Sequence, residues 1–180
     1  MDLCDFTGAR ATDRRLKILM EAGYIERSKI LYGIPSIYKL THKGKILIGV
    51  NKRIEKSYIE KIPHDISVLD TVCFFIRKYG LQSSDVISEK ELHCADGFGI
   101  RKHKPDFIFE KGNKKYCVEV ELTLKSKDRL TYNIKDNYIN YDEQIWVVPK
   151  EQRQIFKLLR GFQNSYDNIE ILFSEVIKDF

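Results

Sequence analysis

The sequence predicts an α/β protein in two parts. Three observations carry that reading: helical and strand-like periodicities alternate along the chain, the first 50 residues run helix, hairpin, helix, and the elements after Pro63 follow the order αβββαβαβ. With 43% hydrophobic and 32% charged residues among 180, the chain has the composition of a globular protein with one medium core or two small ones. Disordered and fibrous classes are thereby excluded.

Ala9 to Ala22 reads as a helix, with Leu16, Leu19 and Met20 on one face, Arg10, Arg14, Arg15 and Lys17 elsewhere, and Gly23 as its stop. Two β-rich runs, Tyr24 to Tyr32 and Ile37 to Leu40, flank Gly33-Ile34-Pro35-Ser36, which has the composition of a turn. Thr41 is placed to cap a short helix through Ile48, closed by Gly49. This is the tail of a winged helix. A complete helix-turn-helix carries another helix before its reader, so upstream sequence or a partner is expected to complete the unit.

Asn51 to Ile62 is charged and reads as a connecting helix, and Pro63 marks a boundary. The expected division is therefore a partial winged helix over 1–50, a linker helix over 51–63 and a second domain over 64–180. In the latter, Ile66, Leu69, Val72, Cys73 and Ile76 recur at helical spacing, with Gly80 ending that helix. Strand-like stretches follow at Asp85 to His93, Asp106 to Glu110 and Lys115 to Leu122. Ser126 caps a helix to about Ile139, Gln144 to Val148 is a buried strand around the core residue Trp146, Glu151 to Asn164 is a helix, and Ile169 to Phe173 a last strand.

A formal charge of +5 and a pI near 8.9 favour a polyanionic partner without deciding one. Cys4, Cys73, Cys94 and Cys117 form no CxxC pair, which suggests neither a zinc ribbon nor a disulfide framework and fits a reduced cytoplasm. The four histidines are equally scattered, against an all-histidine metal site. No apolar run approaches the roughly 20 residues of a membrane span.

Gly112-Asn113 lies between two runs that would pair as a hairpin with a two-residue turn. In that register paired residue numbers add to 225, which sets Asp106 opposite Glu119 and Lys104 opposite Glu121. These four share one face, while Phe107, Phe109, Tyr116, Val118, Val120 and Leu122 form a core face on the other. Acids facing each other repel unless a cation joins them, and Mg²⁺ or Mn²⁺ prefers carboxylate oxygen. A hard cation there suits phosphodiester cleavage, with Glu91, or else Glu89, delivering another ligand from upstream. The rival reading makes Lys104 and Glu121 a cross-strand ion pair and leaves Asp106 a solvated strand-end acid.

Pro105-Asp106, followed thirteen residues on by Glu119-Val120-Glu121 within an αβββαβ order, resembles the PD-(D/E)xK nuclease core. More narrowly, His64-Asp65, Pro105-Asp106-Phe107, Glu119-Val120-Glu121-Leu122-Thr123 with Lys125-Ser126, and Tyr138 before a final strand resemble the replication-relaxation family, whose relatives include plasmid mobilisation relaxases of the MobC type. The resemblance covers most of residues 1–150 and implies a winged helix followed by a restriction-endonuclease-like fold. It also implies a metal site, with Mg²⁺ or Mn²⁺ on Asp106, Glu119 and Glu91, Glu121 assisting and Lys125 stabilising the phosphate. Glu121 departs from the pattern, since the superfamily has Lys or Gln there. Either Lys125 or Lys104 takes the lysine's role, or the site binds DNA without cutting it.

Arg10, Thr12, Arg14, Arg15 and Lys17 are the expected phosphate and groove contacts of the reader helix, against the alternative of a solvated face. Lys127 and Arg129, beginning the helix after the acids with Lys125, are placed to clamp a phosphate or to form an ordinary basic turn. Tyr132, Tyr138 and Tyr141 are candidates for a covalent nucleophile or for half-buried packing. The expected function is a metal-dependent DNA endonuclease or relaxase-like nickase of a plasmid or mobile element; the alternative is a non-cleaving nuclease-fold accessory. Expected partners are DNA, relaxosome or replication proteins and a second copy of the chain. A regulator whose second domain only dimerises would leave the acids unexplained.

Overall fold

The computed structural model describes residues 8–29, 36–49, 59–96 and 102–178. The turn at 33–35, Tyr32, Cys4 and the linker helix over 51–58 lie outside them. The chain is α/β and divides into two compact units that part between Ile62 and Pro63.

The first unit holds helix α1 (Ala9–Glu21), strands β1 (Ile25–Ser28) and β2 (Ile37–Leu40), and helix α2 (His42–Leu47). Gly23, at φ 73°, turns the chain out of α1 in a conformation costly for other residues. β1 and β2 are antiparallel, with Glu26 opposite Lys39 and Arg27 opposite Tyr38. Thr41 caps α2, its Oγ accepting from Gly44 N at 3.1 Å. Gly44 is needed for close approach: a Cβ there would stand 2.1 Å from the Tyr24 carbonyl oxygen. Gly44 is also the buried residue among those described in this unit, and no α1 side chain is buried.

The second unit is a five-stranded sheet in the order β3-β4-β5-β6-β7, from strands Val86–Ser88, Phe107–Lys111, Lys114–Val120, Glu143–Val148 and Ile169–Phe173. β3, β4 and β5 are antiparallel neighbours; β5, β6 and β7 are parallel. Its helices are α3 (Ile62–Tyr79), α4 (Glu89–Asp96), α5 (Lys127–Asn140), α6 (Arg153–Phe162) and α7 (Ser174–Lys178). The β4–β5 hairpin has the expected register, Phe107 opposite Val118 and Lys111 opposite Lys114, with Gly112 at φ 61° in the turn.

Alternation along the inner strands sorts their side chains between two cores. Phe107, Phe109, Val118, Val120, Ile145 and Val147 pack with Phe74 and Phe75 of α3 and Ile177 of α7. Trp146 and Val148 pack with Leu130 and Ile134 of α5 and Ile155 and Leu159 of α6. Covered on both faces, β6 reads as the continuous apolar run usual for parallel strands.

Three expectations need correction. The strand foreseen over Asp85 to His93 shrinks to β3 and gives way to α4, because Glu91 Oε2 accepts from Ser88 N at 2.9 Å and Ser88 Oγ at 2.7 Å, which is how a glutamate three residues on secures a helix start. The core face of α3 is only partly the foreseen stripe: Val72 packs on the core as expected, but Ile66 and Leu69 are exposed, and Val68, Thr71, Phe75 and Tyr79 turn inward. The helix carries two apolar stripes, and the aromatic one wins because Phe75 meets Phe109 at 5.3 Å and Tyr79 at 5.6 Å. Finally α7, unforeseen, follows β7 directly.

Candidate functional site

Glu119 occupies the central strand β5, and Glu121 follows just past its end, continuing the pairing with β6 through a bond from its N–H to Val147 O at 2.9 Å. Each is only 3% exposed. A buried carboxylate is costly unless charge or hydrogen bonds compensate it, so its neighbours define the site. Glu119 Oε1 accepts from Asn137 Nδ2 of α5 at 3.0 Å and lies 2.8 Å from His103 Nε2. Glu121 Oε2 is 2.6 Å from Lys125 Nζ. Asp106, just before β4, accepts from Val120 N at 2.7 Å through Oδ2. Its Oδ1 lies 3.5 Å from His64 Nε2, which is also 3.1 Å from Val120 O. A nitrogen facing both a carbonyl and a carboxylate carries its proton.

Three acids thus meet three basic side chains. Asp106 raises the pKa of His64. Burial works against charge on His103, but contact with Glu119 outweighs it and the pKa is raised. Burial pushes the Glu121 carboxyl up; Lys125 opposes this, while Glu119 and Asp106 add to it. That mutual influence marks the three acids as one electrostatic group.

The β4–β5 register expected for these acids is present from Phe107 opposite Val118 onward, and Asp106 and Glu119 both add to the upward shift of Glu121, but Lys104 does not join them. Its Nζ lies 2.8 Å from Asp96 Oδ2, and Lys125 takes the place opposite Glu121. The reason is local: Lys125 is four residues from Glu121 in the connection to α5, whereas Lys104 precedes the β4 ladder. Glu91 is engaged at the start of α4 with Ser88. It is Glu89 whose N–H meets Asp106 O, at 2.9 Å, while its carboxylate lies 3.6 Å from His93.

Lys127 and Arg129 are exposed in the first turn of α5, which Ser126 caps. Arg10, Arg14, Arg15 and Lys17 are exposed on α1, Lys17 lying 3.9 Å from Glu21, and half-buried Thr12 donates to Gly8 O. Of the three tyrosines, exposed Tyr132 is edge-on to His103, with ring centres 6.5 Å apart. Tyr138 packs on Tyr166 at 5.0 Å, and burial pushes the Tyr141 hydroxyl up to about 12.

Asn137 and His103 were missed as site residues, and His64 entered only through a motif. Asn137 had a signal: it shares the spacing of Leu130 and Ile134, so an amide interrupts an apolar helix face. His103 had none, because its partner is fixed by folding.

For a divalent cation the donor chemistry fits. Glu119 Oε2 and Glu121 Oε1 take no protein donor among the described residues, and the His64 contact to Asp106 Oδ1 is long. Among the described residues no three His, Cys, Asp or Glu side chains converge into a cage. Mg²⁺ seldom has one, being held by one or two carboxylates with water and substrate phosphate. No helix among the described residues is long and apolar enough to cross a membrane. In comparisons with family models, curated proteins and solved structures, nothing matches this chain.

Proposed function

We propose that the chain acts on DNA as a metal-dependent endonuclease or relaxase-like nickase in plasmid or mobile-element transfer or replication, with a partial winged helix before a PD-(D/E)xK-type domain. The supporting observation is the pair of buried acids on and beside the central strand, each held through one oxygen, with Lys125 beside them. One or two of the carboxylates Asp106, Glu119 and Glu121 would hold Mg²⁺ or Mn²⁺ together with water and a substrate phosphate; Glu91, engaged elsewhere, leaves the set. Such an ion neutralises phosphoryl charge and acidifies an attacking water. Lys125, partly exposed, is placed to bind a phosphoryl oxygen as charge develops on it. Lys127 and Arg129 bind flanking phosphates, and the α1 arginines hold duplex. Relaxosome or replication proteins and a second copy of the chain are the partners this reading entails.

One observation favours the second reading, a non-cleaving DNA-docking accessory: each acid already has a basic partner, so the site is balanced without metal. Supercoiled and single-stranded DNA incubated with Mg²⁺ or Mn²⁺ separates the two. Nicking is expected, lost in Asp106→Asn with DNA affinity intact, and reduced roughly 10²-fold in Lys125→Ala. Tight DNA binding without any nick by the wild type would establish the accessory.

A further inference from the structure

Asn137 is fully buried on the inner face of α5, which also carries Leu130, Asn133 and Ile134. Its Oδ1 has no hydrogen-bond partner, a cost that an apolar side chain would avoid. Its Nδ2 has one contact that offsets this, the 3.0 Å bond to Glu119 Oε1. His103 approaches the same oxygen at 2.8 Å from the other partner element, the segment before β4. One hydrogen bond from Asn137 and the close charge contact of His103 thus fall on the same carboxylate oxygen and restrict the rotation of the group, and neither falls on Oε2, which has no protein donor among the described residues.

We propose that Asn137 is the positioning residue of this site: its amide, with His103, holds Glu119 Oε1 so that Oε2 is presented to a divalent cation. The inference rests on the metal-site reading above and deepens it. Groups that orient metal ligands in this way change metal affinity by about 10- to 100-fold when removed. Asn137 need not touch the cation or substrate to do so.

The test is Mn²⁺ titration of the full chain by calorimetry, without DNA, alongside thermal unfolding. Wild type, Glu119→Gln, Asn137→Leu and Asn137→Gln are compared; leucine removes the donor, and glutamine keeps the amide but displaces it by a methylene. The expected result is Mn²⁺ binding by the wild type, its loss in Glu119→Gln, and a roughly 10- to 100-fold weaker affinity in both Asn137 variants with Tm nearly unchanged. Undiminished affinity in a folded Asn137 variant overturns the positioning role while leaving the metal site standing. No Mn²⁺ binding by the wild type, or binding unaffected in Glu119→Gln, overturns the metal site and this inference together. Loss of fold in both Asn137 variants makes the residue a structural one and likewise overturns the proposal.

Discussion

His64 and His103 each stand against an acid, and in both the pKa is raised, so the folded protein holds protons more tightly than the unfolded chain. The sign follows: stability from these contacts is complete below the ordinary histidine value of about 6.5 and is lost as pH rises through the folded values. Glu121, also raised, acts in the same direction at lower pH. Thermal unfolding should therefore show Tm falling from about pH 6 to pH 8, and the double substitution His64→Gln, His103→Gln should flatten that slope. A wild-type Tm that rises over this interval would mean that neither histidine is held as the contacts indicate. Lys125 gives the same lesson without titration: a lysine four residues from a buried acid answers it more readily than one a strand away.

At the scale of elements, α1 and the start of α5 both present exposed basic side chains, to which the proposed function gives different tasks. On α1 no side chain is buried, and Arg14 and Arg15 are fully available to phosphate. Replacing both by Glu should weaken duplex binding and lower the slope of log affinity against log salt, because fewer counterions are released. Filter binding at several salt concentrations measures this, and an unchanged slope would move the DNA surface away from α1. The hairpin β4–β5 is the element that makes the acids a group. Its register follows from a turn with Gly112 at φ 61° and from core residues at every second position, so a slip of one residue would bury the wrong face.

For the whole molecule, the two units differ in what sustains them. The second has apolar clusters on both faces of its sheet, including the fully buried Trp146, Phe75 and Leu159, each contributing on the order of 1.5–3 kcal/mol by burial. Among the described residues of the first, Gly44 is the buried one. A fragment of residues 59–180 should accordingly unfold in one cooperative transition and keep the Mn²⁺ affinity of the full chain, while its duplex affinity falls. Circular dichroism and calorimetry check this, and a fragment lacking cooperative unfolding would show that the sheet depends on the first unit.

What the sequence by itself determined is whatever depends on short-range periodicity: the helix–hairpin–helix order, the β4–β5 register, and the placing of Asp106 and Glu119 near one another. A period of two and a glycine turn specify these without reference to the rest of the chain. The tertiary structure decided which group answers each acid. His64 meets Asp106, and His103 and Asn137 meet Glu119, across separations of 42, 16 and 18 residues that no local pattern encodes. It also decided which of two apolar stripes α3 buries, because that depends on the aromatic rings of β4. Glu91 shows the boundary between the two: it was expected within a strand, and the fold, by ending a three-residue strand at Ser88, sets its carboxylate on the Ser88 N–H and hydroxyl at the start of α4. Contacts between distant segments are set by how layers pack, and that information is distributed over the whole core rather than written beside the residues it positions.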